Sequence, residues 1–393
     1  MFLAAAALML GLEPGCLADL RRAAIARGAT ATVFDSATAG FTLDSTVLVA
    51  RDNQPEFKTP IWDYLAALVD EERIADAAQR IDQWQAALGS IEKTSGVDRH
   101  TVVAVWGVES DFGRIMGQRP LVRSLVTGYC LGRRQDFFRD QLVATLQILE
   151  RGDIPADRLV GSWAGAFGQT QFMPTTFLRL AVDADGDGRR DIVGSVPDAL
   201  GSTANYLKQH GWVTGAPWGY EVRVPARYRG RSGRLYRRSV ARWAASGVKR
   251  IDGGAVSGPG PAALLRPAGP AGPAFLVFRN FDVIYSYNAA ESYALAIAHL
   301  ADRLRGGAGF VTPWPTNDRG LSRAERREVQ ERLTALGHDV GTPNGVLGRK
   351  SREAIKAFQA RVGLPVNGRA GGRVLDSLRL RSAPPLVKGK VFS

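Results

Sequence analysis

The chain has 393 residues, 45% of them hydrophobic and 23% charged, which excludes a disordered or fibrous polypeptide and leaves room for about two to three folded domains. Its 51 basic residues against 38 acidic ones give a net charge of +13, which favours a polyanionic or acidic partner. The arginines are scattered and not interleaved with aromatics in one block, so nucleic acid is not the expected partner.

Residues 1–15 form an apolar N-terminus beginning MFLAAAALMLG, of the kind a signal remnant leaves, although no Lys or Arg precedes it. Cys16 follows Gly15 as in a lipoprotein cleavage site, whereas Glu13 stands where such a site takes a small apolar residue. Membrane attachment through the N-terminus therefore stays open. No later run approaches the ~18 apolar residues of a membrane-spanning helix. Cys16 and Cys130 allow one disulfide in an oxidising compartment. Two cysteines and four histidines show no metal-ligand spacing.

From Leu17 to about Gly96 the pattern is helical, clearest in LADLRRAAIARG and IWDYLAALVDEERIADAAQRIDQWQAAL, with Gly28 and Gly89 as helix stops. Asp98 then reads as the N-cap of a helix through VVAVWGVESDFG, residues 102–113. Val102, Val105, Trp106 and Glu109 fall on one face of it, which puts a carboxyl group on an otherwise apolar stripe. Burial disfavours the ionised form, so this Glu is expected to stay protonated above the usual value of about 4.3. A general acid for glycosidic cleavage needs that state. Asp111, two residues on, points to a different side and does not form a facing pair with it. Residues 135–152 repeat the helical period, with Phe138, Leu142, Thr145 and Leu149 as a packing face.

The stretch GSWAGAFGQTQFMPTTF, residues 161–177, combines three glycines (Gly161, Gly165, Gly168) with the hydroxyl of Ser162 and the amides of Gln169 and Gln171. Trp163, Phe167 and Phe172 add aromatic surface, and the set suits a sugar bearing N-acetyl groups. A tight turn leading into a helix at Pro174 accounts for the same composition. DADGDGRRD, residues 183–191, places Asp183, Asp185, Asp187 and Asp191 at positions one, three, five and nine of a calcium loop, with Gly188 at the sixth. Gly194 occupies the twelfth position, where a bidentate acid belongs, and Asp198 is the nearest downstream carboxylate. An Asp-rich turn without metal stays open.

Helix resumes over Asp198–His210 and ends at Gly211. Residues 213–280 read as a small β-containing insertion: GYEVRVPARYRG alternates, SGPGPAALLRPAGPAGP is loop-like, and FLVF at 275–278 closes it as a strand. NFDVIYSYNAAESYALAIAHLADRLRGG returns to helix, with Tyr287, Asn288 and Tyr293 near its start. Residues 306–319 are a Gly/Pro-rich linker. Residues 320–381 follow as a compact module of three small helices, opened by a Ser322–Glu325 capping box, and 382–393 form a tail.

Taken in order, WGVESDFG, GSWAGAFGQTQFMPTTF, DADGDGRRDI, STANYLKQHGW and YSYNAAESYALAI resemble the successive motifs of lytic murein transglycosylases of the membrane-bound type B family. GVLGRKSREAIKAFQARVGL resembles the motif of the three-helix peptidoglycan-binding domain. The resemblance implies a mainly α (α+β) chain: a lysozyme-like transglycosylase domain over residues 16–305 with the β/loop insertion at 213–280, then the binding domain at 320–381. It makes Glu109 the single catalytic acid/base. Ser162, Gln171, Tyr206, Tyr287, Asn288 and Tyr293 match positions that line the cleft or support the acid.

The implied reaction cleaves the β-1,4 bond between N-acetylmuramic acid and N-acetylglucosamine and leaves 1,6-anhydro ends. It requires no cofactor. A structural Ca2+ is the implied ion, held by Asp183, Asp185, Asp187, the carbonyl of Arg189 and Asp198. Peptidoglycan glycan strands are the implied partner, with a monomer working in the periplasm. A hydrolytic muramidase and a noncatalytic peptidoglycan-binding scaffold stay open as alternatives. Departures from the family pattern are the weak signal, the Asn344 that stands for an acid, and the glycines Gly371 and Gly372 at the start of the third small helix, which are expected to weaken that module.

Overall fold

The computed structural model describes residues 14–47 and 59–382, so most of the apolar N-terminus and the tail lie outside the described residues. The described chain is mainly helical with small sheets, and it divides into two compact units. The first comprises residues 1–55 and 81–214, the second residues 56–80 and 215–393. In chain order the helices of the first half are α1 (Pro14–Ala26), α2 (Ala31–Ala37), α3 (Ile61–Leu68), α4 (Glu71–Gln83), α5 (Gln85–Ser95), α6 (Arg99–Ser110), α7 (Leu121–Leu131), α8 (Gln135–Arg151), α9 (Pro174–Leu180) and α10 (Val196–Gln209).

The expected continuous helix over residues 61–88 is broken twice, after Leu68 and at Trp84. Gly89 is a correction: it lies inside α5, and the stop is Gly96, which takes the left-handed conformation at φ 73°. Gly28 does follow α1, at φ 93°. Asp98 caps α6 by accepting from the amide of Thr101 at 3.1 Å. Residues 101–107 are all buried, so α6 is a central helix wrapped on every side and not an amphipathic one with a single apolar stripe. A disulfide between Cys16 and Cys130 ties α1 to α7. A sulfur in that bond cannot also carry a thioether lipid.

In the second unit, β3 (Gly219–Arg223), β4 (Arg237–Arg238), β5 (Lys249–Arg250), β6 (Ala262–Leu265) and β7 (Ala274–Val277) form an antiparallel sheet in the order β4-β6-β7-β3-β5. The loop-like reading of PAALL is corrected here. Ala262–Leu265 are a fully buried interior strand, with Leu264 opposite Leu276. A short helix, α11 (Val240–Ala245), puts Trp243 into the core beneath the sheet with Val222, Leu264, Leu276 and Phe278.

The expected single helix after the sheet is two, α12 (Arg279–Tyr285) and α13 (Glu291–Leu304). The C-terminal helices are α14 (Arg323–Ala335), α15 (Arg349–Val362) and α16 (Gly372–Ser382), packed around Val329, Leu333, Ile355, Phe358 and Leu375. The Ser322–Glu325 capping box is present. Two buried glutamines hold the loops: the carbonyl of Gln330 accepts from Asn344 and Gly345, and that of Gln359 from Asn367 and Gly368. Gly371 stands where the backbone passes close to a side chain. A Cβ there would lie 2.3 Å from the Asp318 carboxylate, which accepts from the amide of Arg373 at 2.9 Å.

Residues 306–319 are packed, unlike a free linker. The amides of Val311 and Thr312 donate to the buried Glu221 carboxylate at 2.7 and 2.8 Å, and Phe310 stacks on His299 at 3.8 Å. Arg369 makes a bidentate pair with Asp63 of α3 at 2.6 and 2.7 Å.

Candidate active site

Glu109 is the second-to-last residue of α6 and is half-buried. Immediately after it the backbone enters a conformation that L-residues rarely adopt: Asp111 has φ 52° and Phe112 φ 59°, followed by Gly113 at 82°. Among the described residues the only other non-glycine with positive φ is Gln171, at 51°. Such conformations persist only where surrounding contacts over-determine them, and here all of them fall beside the acid or in the turn bound to it.

The contacts that hold this elbow are identifiable. Phe112 is buried and packs edge-on against Trp106 at 5.5 Å. Its ring lies over Gly107, where a Cβ would come within 2.7 Å of it. Ser110, next to Glu109, donates its hydroxyl to the carbonyl of Gln169 and accepts from the amide of Gly113 at 2.9 Å. The Gln171 amide donates to the carbonyls of Gly168 at 2.8 Å and Met116 at 3.1 Å. The end of α6 is thereby fastened to the 168–171 turn. Asp111 pairs with Arg114 at 3.3 Å within its own loop.

Two short strands, β1 (Arg119–Pro120) and β2 (Val160–Gly161), pair ahead of that turn. Single bridges then link Gly161 to Phe167 and Phe167 to Phe172. Gly161 is required there, because a Cβ would lie 2.2 Å from the carbonyl of Ala166. Ser162 closes the loop by accepting from Ala166 N at 3.0 Å. Tyr206, on α10, is buried with its ring 5.9 Å from Phe172 and stacked on His210 at 3.9 Å. Glu109, Ser162, Gln171 and Tyr206 all belong to the first unit. Tyr287, Asn288 and Tyr293 belong to the second. The rings of Tyr287 and Tyr293 stack at 6.3 Å, Tyr293 is buried, and Asn288 is exposed in the break between α12 and α13. Gly107, Ser110 and Phe112 were not singled out from the sequence. A glycine inside an apolar helix two residues before an acid was the available signal.

In the acidic loop, carboxylate oxygens of Asp183, Asp185 and Asp198 lie within 4.8 Å of one another. Asp198 is fully buried and accepts from the amides of Ala184 and Asp191, both at 2.7 Å. Burial nevertheless pushes its carboxyl above the usual range. Asp183 accepts from Gly186 and Gly188, and Asp185 from the hydroxyl of Ser195 at 2.6 Å. Asp187 accepts from the amide of Arg189 at 2.8 Å.

The family described as transglycosylase SLT domain matches residues 13–302, and a putative peptidoglycan binding domain matches residues 322–378. The membrane-bound lytic murein transglycosylase B of Escherichia coli (strain K12) is 31% identical over 272 residues, 66% of this chain and 73% of that protein. The crystal structure of SltB3 from Pseudomonas aeruginosa in complex with NAG-anhNAM-pentapeptide is similar at 45% identity and a TM-score of 0.74, covering 92% of this chain and 98% of that one. The Escherichia coli lytic transglycosylase Slt35 in complex with calcium is similar at 26% identity and a TM-score of 0.66, covering 74% and 92%. This chain belongs to the transglycosylase SLT domain family and is a lytic transglycosylase of peptidoglycan with a C-terminal peptidoglycan-binding domain.

Proposed function

We propose that Glu109 is the single acid/base of the reaction. Its carboxylic acid protonates the oxygen linking N-acetylmuramic acid to N-acetylglucosamine as the bond from C1 breaks, and the neighbouring N-acetyl group assists at C1. The resulting carboxylate takes the proton of the C6 hydroxyl, whose oxygen bonds to C1 and closes the 1,6-anhydro ring. No water is consumed, so the second carboxylate of a two-acid glycosidase has no task. The observation that carries this reading is the elbow: Glu109 ends a helix buried on all sides and fastened through Ser110, while the nearby Asp111 is paired with Arg114.

Ser162, Gln171 and Tyr206 support the acid and its turn. In the second unit Tyr287 and Asn288 bind the glycan, and the buried Tyr293 backs the Tyr287 ring. Gln171 is suited to both tasks, because its amide nitrogen is used internally and its side-chain oxygen, which accepts no hydrogen bond among the described residues, can accept from a sugar. The enzyme acts as a periplasmic monomer, and residues 320–381 hold the glycan strand without catalysing.

The acidic loop fits Ca2+. Its donors are all oxygens, and a cation would offset the cost of the buried Asp198 carboxylate. Asp183, Asp185, Asp187, the Arg189 carbonyl and Asp198 would hold it, in a structural role. The complex of the relative Slt35 with calcium supports this assignment.

The test of the reaction is Glu109→Gln, which keeps the shape and removes both proton transfers. Turnover should fall by about 10²–10⁴-fold while binding to insoluble murein persists. Products of the native enzyme should be lighter by one water than hydrolytic ones. Hydrated reducing ends, or near-native turnover in Glu109→Gln, would overturn the assignment.

A further inference from the structure

The second unit contains a pocket of about 600 Å3 lined by Arg231, Arg234, Tyr236, Tyr285 and Glu291. It adjoins the proposed glycan-binding residues in the chain, since Tyr285 precedes Tyr287 by two positions and Glu291 follows Asn288 by three. Its charges are arranged unevenly. Asp282 pairs with both Arg234, at 3.2 Å, and Arg237, so one carboxylate is shared by two guanidiniums. The Arg234 guanidinium also lies over the Tyr285 ring at 3.8 Å, which fixes its plane. Arg231 is exposed, sits 5.1 Å from the Tyr236 ring, and makes no ion pair among the described residues.

On the same pocket stands Glu291, half-buried in the first turn of α13. It accepts no hydrogen bond among the described residues, and its burial pushes the carboxyl above its usual range against the pull of Arg234. A partly desolvated carboxylate without a donor invites a cationic one. A lone carboxylate is too few ligands for a metal ion. Its charge also opposes a phosphate or nucleic-acid backbone, and a neutral sugar would leave both charges unanswered. The complement is a ligand carrying a carboxylate and an amine a short distance apart.

We propose that this pocket receives the peptide part of peptidoglycan, with Arg231 and Arg234 taking a carboxylate and Glu291 taking a free amine. This rests on the peptidoglycan reaction proposed above, whose polymer carries such peptides beside the sugars. The pocket would then select peptide-bearing strands over stripped ones by affinity, without touching the reacting atoms.

Equilibrium binding tests it, using the full-length chain with Glu109→Gln to stop turnover. Three probes are compared: soluble glycan strands with peptides, the same strands stripped of peptides, and peptide-bearing strands with their amines acetylated. Peptide-bearing strands should bind about tenfold more tightly than stripped ones, the scale of a charge-assisted hydrogen bond. Arg231→Gln and Glu291→Gln should each remove most of that gain and leave stripped strands unaffected. Acetylation should weaken binding to the protein with Glu291 but not to Glu291→Gln. Equal binding of peptide-bearing and stripped strands, or variants that weaken both alike with unchanged melting temperatures, overturns the proposal. An enzyme that prefers peptide-bearing strands yet makes no anhydro ends supports this pocket and overturns the reaction instead.

Discussion

The elbow after Glu109 predicts opposite outcomes for one substitution made at two helical glycines. Gly107→Ala and Gly89→Ala each replace a glycine within a helix, a change that helix propensity alone favours by about 0.8–1.0 kcal/mol. At Gly89 a Cβ would meet its nearest neighbour, the Arg99 guanidinium, at 3.9 Å, which is ordinary contact. At Gly107 it would lie 2.7 and 2.8 Å from two atoms of the Phe112 ring, where ordinary contact begins at 3.4 Å. That ring is 5% exposed with Trp106 against it, so it has no free side to move to. Overpacking of this kind costs about 1–3 kcal/mol, which exceeds the propensity gain. Gly89→Ala should therefore raise the melting temperature, whereas Gly107→Ala should lower it by up to a few degrees, at about 2–4 °C per kcal/mol for a domain of this size. Displacing Phe112 also displaces the left-handed turn that holds Glu109. A shift near 1 Å at an acid costs about 10²-fold in turnover, so activity should fall further than stability does. Melting curves and release of anhydro ends decide the matter. Equal stabilisation by both substitutions, with native turnover in Gly107→Ala, would falsify the role given to the elbow.

Three further outcomes are expected. Asp198 has its proton affinity raised by burial, so its contribution to stability is full at low pH and is lost as pH rises from the usual carboxylate value through the raised one. Calcium binds the ionised form, and its stabilising effect should therefore grow with pH, reaching about 2.7 kcal/mol at 100 Kd and vanishing in Asp185→Ala. Coincident melting curves with calcium and with chelator at neutral pH refute this. His299 is 7% exposed and stacked on Phe310, and burial lowers its pKa from 6.5 to about 4. It contributes stability above pH 6.5 that is lost as pH falls towards 4, about 3 kcal/mol in all, and His299→Phe should flatten that slope. An unchanged acid limb in the variant counts against it. Asp63→Ala removes the bidentate partner of Arg369 but leaves Asp318 beside it, so a loss of about 1–3 kcal/mol is expected. Faster proteolysis within residues 306–320 should accompany that loss, and an unaltered digestion pattern would speak against the docking of the C-terminal helices through this pair.

What the sequence disclosed and what it hid divide along a physical line. The cap at Asp98, the capping box at Ser322 and the helix carrying Glu109 were legible because each is written in residues within one or two turns of each other. The strand Ala262–Leu265 was not, because Pro and Gly on both sides outweighed four buried apolar residues whose partners are supplied by distant strands. The break at 286–290 escaped for a related reason: Ala and Ser there are compatible with helix, and nothing local forbids its continuation.

Long-range electrostatics were hidden more completely still. The excess of arginine was read as a surface awaiting an acidic partner, yet many guanidiniums are committed internally. Arg369 is held by Asp63 and Asp318, Arg379 by Glu328, Arg190 by Asp153, and Arg327 by Glu72. These pairs link residues 37 to 306 positions apart. Charge pairing has no period, so no window along the chain can display it. The same holds for Glu221, which anchors residues 311 and 312 from across the second unit and turns an apparent linker into packed structure. Net charge thus describes what the whole surface attracts. Which arginines are available to attract it is decided by the fold, and Arg231, which makes no ion pair among the described residues, is one of them and lines a pocket.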